Sequence, residues 1–271
     1  HPSVTPHPRL LPSNLLASRL LGGAARDTRP TPVGPAYALG HPGRAAEVPT
    51  LLIAVFDNSG SVTRPTGTDP LSNRFAEVDR AFSVVAKKGS RRELGAVLHF
   101  DVPCSGEVAP VAITRSGLTR LQAGLRVPPD GAGSSKLAPS MRRAVQLAKA
   151  HPEHEATLVV LSDFLLLDAD PSAVLTELAA FPGTVQAVVL GGWANAYQPT
   201  GCASVTTIRS GDAPGAVAKA MFASLTRHRP GSRAWRECRA TGPGRTPGTA
   251  CSSRISQQIS ATTTTTSNVP E

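Results

Sequence analysis

Oxygen-bearing side chains follow an apolar run in the stretch TLLIAVFDNSGSV, residues 50–62. The run ends at Asp57, and the hydroxyls of Ser59 and Ser61 follow at every second position. A second apolar run, ATLVVLSD, ends in Asp163. Two carboxylates and several neutral hydroxyls suit a hard divalent cation, Mg²⁺ first and Mn²⁺ or Ca²⁺ next. These residues therefore predict a metal site if the fold brings the two runs together.

A glycine-rich loop offers a third source of oxygen ligands. The segment DGAGSSKLAPSM, residues 130–141, precedes a predicted helix, and Ser134 or Ser135 is placed to point toward the same site. Taken singly, Asp57 and Ser59 are better explained as caps of a turn and helix. The three motifs together favour a metal site.

These motifs need a scaffold, and the rest of the chain predicts one. Apolar runs alternate with segments of helical periodicity, which indicates a mainly parallel sheet covered by helices on both faces. The predicted strands are 50–56, 93–100, 156–163, 184–191 and 204–209, with 106–115 as a short edge strand. The predicted helices are 73–89, 116–125, 138–150, 171–181 and 213–228. Ligand sites of such sheets lie beyond the carboxyl ends of the strands, where Asp57 and Asp163 are expected.

The pattern Asp57-x-Ser59-x-Ser61, the GSS loop and the strand-ending Asp163 resemble a von Willebrand factor A (VWA) domain and its metal-ion-dependent adhesion site, MIDAS. The resemblance covers residues 49–226. It implies a Rossmann-like, doubly wound sheet with one antiparallel edge strand, for which GEVAPVAITR is the candidate. It also implies that Ser59 and Ser61 bind the ion directly, and that Asp57 and Asp163 act directly or through water.

Two positions depart from the family pattern. The family's third element is usually threonine, and counting back from Met141 assigns its place to Ser135, with Ser134 as the alternative. Serine keeps the oxygen but lacks the methyl group that restrains the rotamer, so weaker metal binding is expected. The second departure is Phe164, where a small residue often follows the aspartate. We expect its ring to narrow the mouth of the site.

The resemblance implies metal-dependent binding of a protein partner, whose Asp or Glu completes the metal shell, without catalysis. One alternative is a metal-dependent hydrolase or phosphatase that uses Asp57 and Asp163. A phosphatase of the haloacid-dehalogenase type would need a second aspartate where Ser59 stands, so its general acid is missing. The phosphate-binding motif G-x-x-x-x-G-K-[ST] and the nucleophile motif G-x-S-x-G are absent, and no small-molecule substrate is evident.

Nucleic-acid binding through arginine-rich tails is a further alternative, because the net charge of the chain is +9. Residues 49–226 carry 16 Lys and Arg against 15 Asp and Glu, a net of +1, so the flanks carry +8. The predicted domain is therefore nearly neutral, which argues against a nucleic-acid partner. Composition indicates a Pro/Arg-rich flank (1–48) and a disordered Arg/Thr-rich tail (228–271), and the resemblance assigns residues 49–227 between them to a VWA-like domain.

Two further expectations concern the compartment. No stretch approaches 18 consecutive apolar residues, so no membrane span is predicted. The sequence opens without a basic-then-apolar signal pattern, and its four cysteines form no CxxC pair. We therefore expect reduced thiols and a cytoplasmic protein, as for bacterial members of the family that work inside the cell.

Overall fold

The computed structural model describes residues 37–192, 198–199, 201–209 and 211–234. The strands are β1 (Gly40–His41), β2 (Thr50–Phe56), β3 (Glu93–His99), β4 (Val108–Ala112), β5 (Glu155–Ser162), β6 (Thr184–Leu190), β7 (Ser204–Ile208) and β8 (Arg233–Ala234). The helices are α1 (Gly60–Thr63), α2 (Asn73–Ala86), α3 (Arg115–Gly124), α4 (Ala138–Ala150), α5 (Pro171–Ala179) and α6 (Ala216–Thr226).

The main sheet has six strands in the order β4-β3-β2-β5-β6-β7. The pairs from β3 to β7 are parallel, and β4 runs antiparallel to β3 at one edge. The predicted fold class is therefore confirmed, including the antiparallel edge strand.

Alternate residues of β2 enter two separate cores. Leu51, Ile53 and Val55 pack with α4 and α5 on one face of the sheet. Leu52, Ala54 and Phe56 pack with α2, α3 and α6 on the other face. Because successive side chains of a strand point to opposite faces, a strand covered on both sides must be apolar throughout. This requirement accounts for the unbroken run TLLIAVF.

The strand order places the ends of β2 and β5 side by side. In the parallel register Phe56 lies opposite Leu161, and the Asp57 N–H donates to the Leu161 carbonyl at 3.0 Å. The chain first adds β3 and β4 on one side of β2 and then crosses to β5 on the other side. This reversal makes a topological switch point, where open α/β sheets form crevices.

Several element boundaries differ from the sequence-based predictions. Helix α3 begins at Arg115, one residue before its predicted start, and is capped by Thr114, whose side chain accepts from the Gly117 N–H. Helix α2 ends at Ala86, and Gly89 does not adopt the left-handed cap conformation. Gly89 allows the backbone at Ile113 to pass close to it, because a Cβ at this position would lie 1.7 Å from the Ile113 carbonyl oxygen.

Residues assigned to the two flanks also pack against the sheet. Strands β1 and β8 pair with each other, and Leu39 contributes to one core. The buried Arg229 guanidinium lies 3.5 Å from the buried carboxylate of Glu93, which also accepts from the Ala46 N–H. The ordered part of the chain thus includes residues 37–48 and 228–234. The rest of the predicted flanks lies outside the described residues, and the division into three regions stays a prediction.

Within the described ranges, none of the helices has the length and apolar character needed to cross a bilayer.

Candidate metal centre

Asp57 is held in one orientation at the end of β2. Its Oδ1 accepts from the Ser59 N–H at 2.8 Å, and its Oδ2 accepts from the Ser162 hydroxyl at 2.6 Å. The side chain is buried, and burial raises its pKa from 3.8 to about 6, although these hydrogen bonds act in the opposite direction. The neighbouring charge of Asp163 raises the pKa of Asp57 further. A cation at this place would remove the cost of the buried charge.

The two serines of the first motif are brought together by α1. The hydroxyl oxygens of Ser59 and Ser61 lie 3.0 Å apart. Two oxygens bound side by side to one octahedral Mg²⁺, with bonds of about 2.1 Å, are separated by about 3 Å. In this structure the two hydroxyls form a hydrogen bond with each other, and the same spacing suits two ligands of a single ion.

Asp163 directly follows β5 and lies close enough to Asp57 for its charge to raise the pKa of Asp57. Its Oδ1 accepts from the Leu165 N–H at 3.0 Å, whereas its Oδ2 is buried without a hydrogen-bond partner in the described structure. A buried carboxylate oxygen without a partner is costly, and an unplaced ion is one of the recognised explanations. Together with the serine spacing, this orphaned oxygen shows that the residues present fit a divalent cation.

Phe164 does not narrow the mouth of the site, so that prediction is wrong. It adopts a left-handed backbone conformation with φ of 56°, and its ring is fully buried in the core beside α4 and α5. The turn carries the side chain away from the solvent face, and the Phe164 N–H donates to the Ser162 hydroxyl. The bulk of Phe164 therefore supports the Asp163 turn from beneath.

The glycine-rich loop reaches the site through Gly133, where a Cβ would lie 3.5 Å from the Asn58 carbonyl oxygen. Its two serines differ in their contacts. The Ser134 hydroxyl accepts from the Lys136 N–H at 3.1 Å, which engages it within the loop. The Ser135 hydroxyl makes no hydrogen bond to any described residue. This difference favours Ser135 over Ser134 as the available oxygen.

Two further aspartates fix this loop. Asp101, at the end of β3, accepts from the N–H groups of Ala132 (3.1 Å) and Ser134 (2.8 Å). Asp168, after the Asp163 turn, accepts from the first N–H groups of α4 through both of its carboxylate oxygens. The Leu167 N–H also donates to the Ser135 carbonyl at 3.0 Å. The loops that carry Asp163 and Ser135 are thus bonded to each other.

Arg74 lies beneath the first motif and is 1% exposed. One terminal nitrogen, Nη2, donates to the Asp57 carbonyl (3.1 Å) and to Asn58 Oδ1 (2.8 Å). The other, Nη1, forms an ion pair of 2.7 Å with Asp69. Arg74 therefore holds the backbone at Asp57 from within the protein, while Asp69 balances its charge.

The same network continues through His99. The Asn58 amide donates to Nδ1 of His99 at 2.9 Å, so Nε2 carries the proton that reaches the Gly124 carbonyl at 3.1 Å. Burial lowers the pKa of His99 to about 4, so the ring is neutral near pH 7.

Sequence reasoning missed four of these supporting residues. Asn58, Asp69, Arg74 and Ser162 carry no recognisable motif. Ser162 had one detectable signal, a polar side chain at the end of an apolar run, whereas Arg74, between Asn73 and Phe75, had none.

Searches based on sequence find no match to this chain, neither among protein-family models nor among curated proteins. Solved structures do match. The pilus adhesin SpaC from Lactobacillus rhamnosus GG is 14% identical, with a TM-score of 0.52, over 68% of this chain and 30% of that one. A von Willebrand factor type A protein from Catenulispora acidiphila is 14% identical, with a TM-score of 0.48, over 70% of this chain and 49% of that one. The manganese-loaded TRAP protein of Plasmodium vivax is 11% identical, with a TM-score of 0.41, over 67% of this chain and 74% of that one.

This chain has a VWA-like α/β fold. Its match spans less than half the length of the first two proteins. At this level of identity the likeness concerns the fold alone. Across the described residues, no group of three or more His, Cys, Asp or Glu side chains is placed to hold a metal. A candidate centre here consists of two carboxylates with serine hydroxyls.

Proposed function

We propose that this chain is a metal-dependent protein-interaction module of the VWA family with a MIDAS, and that it performs no catalysis of its own. Mg²⁺ is the proposed ion, with Mn²⁺ or Ca²⁺ as substitutes. The proposed ligands are Asp57, Ser59, Ser61, Ser135 and Asp163. The partner is a protein whose Asp or Glu carboxylate completes the metal shell.

The orphaned Oδ2 of buried Asp163, together with the paired hydroxyls of Ser59 and Ser61, carries this proposal. Serine hydroxyls are neutral, and both oxygens of Asp57 already accept hydrogen bonds inside the protein. A divalent ion held this way stays electrophilic and attracts an external carboxylate. SpaC, whose fold resembles that of this chain, is a pilus adhesin, and this supports a role in adhesion or protein binding.

Metal-dependent stability is the direct test. Thermal unfolding of the full chain should shift upward with Mg²⁺ or Mn²⁺ relative to EDTA. A ligand at about 100 times its dissociation constant that binds only the native state adds roughly 2.7 kcal/mol. For a domain of this size the melting temperature should then rise by about 5–10 °C.

The matched controls for this measurement are Asp57→Asn and Glu177→Gln. Each removes one carboxylate, but Glu177 lies exposed on α5, away from the centre. Asp57→Asn should abolish the rise, and Glu177→Gln should preserve it. An equal rise in Asp57→Asn would place any bound ion elsewhere, and no rise with any ion would contradict the proposed function.

The choice between the two loop serines gives a second prediction. Ser135→Ala should weaken Mn²⁺ binding in calorimetric titration by about tenfold or more, because a ligand oxygen is lost. Ser134→Ala should have a smaller effect, since that hydroxyl accepts from the Lys136 N–H within the loop. The reverse order of the two variants would assign the ligand to Ser134.

A further inference from the structure

The edge of the sheet opposite the candidate metal centre carries a concentration of positive charge. In a parallel sheet the amino-terminal ends of the strands, and the carboxyl-terminal ends of the helices that follow them, meet at this edge. Six exposed cations lie there, and we call them the basic pole: Arg44, Lys87, Lys88, Arg91, Arg92 and Arg233.

Direct contacts join Arg44, Lys88 and Arg233 in one surface, and Arg91 and Arg92 follow Lys88 in the loop between α2 and β3. Lys88 Nζ lies 2.8 Å from Nε2 of His41, and His41 pairs with Arg233 in the β1–β8 ladder. Buried Arg229 joins the parts from beneath, because it donates to the Arg44 carbonyl (3.0 Å) and to the Lys88 carbonyl (2.6 Å). The Arg44 N–H in turn donates to the Pro230 carbonyl.

Nearby acids balance only part of the charge of the basic pole: Glu47 is exposed, and its carbonyl accepts from Arg92 at 3.4 Å. None of its six cations forms an ion pair with a carboxylate of the described residues. Glu93 is buried and turned toward Arg229, and Glu155 lies 2.9 Å from His228. Like charges placed together repel each other and oppose folding, so such a cluster is suited to an external anion.

We propose that the basic pole binds an anionic membrane surface. A protein interface commonly has aromatic or large apolar side chains as anchors. Among the described residues near the basic pole, Val48 is the one large apolar side chain that is exposed. Single-stranded nucleic acid is held largely by stacking on aromatic side chains, and the described part of the pole exposes the His41 ring but no Phe, Tyr or Trp. A lipid surface needs only several cations on one face, since attraction through the surface potential requires no matching shape.

This arrangement leaves the metal centre pointing away from the lipid. Asp57 and Asp163 follow the carboxyl ends of β2 and β5, whereas the basic pole lies at their amino ends. The membrane and a protein partner would occupy opposite edges of the sheet. The proposal does not depend on the metal site, and EDTA should leave lipid binding unchanged.

Co-sedimentation with vesicles tests the proposal. The full chain should sediment with vesicles that contain phosphatidylserine, should not sediment with pure phosphatidylcholine, and should be released by salt. The variant Lys87→Glu/Lys88→Glu/Arg91→Glu should bind about 100-fold more weakly. The control Arg120→Glu/Arg126→Glu/Arg142→Glu changes the net charge equally at exposed positions outside the pole and should retain binding.

Three outcomes would overturn the proposal. Absence of binding to phosphatidylserine vesicles is the first. Equal weakening in both triple variants is the second, since it would assign binding to overall charge. The third is pole-dependent binding of short duplex DNA without binding to vesicles, which would identify a nucleic-acid surface. Thermal unfolding confirms that each variant is folded, and Lys87→Gln/Lys88→Gln replaces the pole variant if it is not.

Discussion

Replacing Arg74 by methionine is expected to lower the free energy of unfolding by about 3–5 kcal/mol. Methionine fills much of the same volume, so the loss reports on charge and hydrogen bonds more than on a cavity. The buried carboxylate of Asp69 would lose its partner at 2.7 Å, and Asn58 Oδ1 would lose a donor at 2.8 Å. Since domains are stable by about 5–15 kcal/mol, the change is a large fraction of the total.

Urea unfolding of the Arg74→Met variant measures this loss, and a double-mutant cycle with Asp69→Asn locates it. The double variant should cost less than the sum of the single changes, because each single change leaves one buried partner unpaired. The Arg74→Lys variant keeps the charge, but its ammonium group lacks the planar fork that lets arginine bond several acceptors at once. Its free energy of unfolding should therefore lie between those of the wild type and the methionine variant. A methionine variant within about 0.5 kcal/mol of wild type would contradict this account.

The Asp57→Asn variant is expected to be more stable than wild type near pH 7 when metal is absent, by up to about 3 kcal/mol. Burial raises the pKa of Asp57 from 3.8 to about 6. A pKa difference of one between the folded and unfolded chain corresponds to about 1.36 kcal/mol of stability. Between these values the native state holds the proton more tightly than the unfolded chain. The stability of the wild type therefore falls as pH rises through this window.

Asparagine removes the titration, so the stability difference between the two chains isolates Asp57. The difference should grow in favour of the variant as pH rises from 3.8 to about 6, and stay constant above that range. Chemical unfolding in EDTA at several pH values measures it. Saturating Mg²⁺ should reverse the order of stability near pH 7. A difference that does not change with pH would show that Asp57 is not the buried charge described above.

Much of the fold was predictable from the sequence because burial leaves a local pattern. Strand β2 is apolar throughout since both of its faces are covered, and α2 shows apolar residues at helical spacing on the side that packs. The positions of Asp57 and Asp163 at strand ends followed from the same patterns. The candidate ligands were thus identified from segments of a few residues each.

Only the tertiary structure determined how these segments are supported. The Asp57–Ser162 hydrogen bond joins residues 105 positions apart, and the Asn58–His99 bond joins residues 41 apart. Periodicity reports which face of an element is buried but not which buried polar groups will meet. The inward turn of Phe164 and the buried Arg229 beside Glu93 depend on the same long-range packing. The sequence by itself therefore determined the types of side chain at the site, whereas packing between distant segments decided their orientation and charge balance.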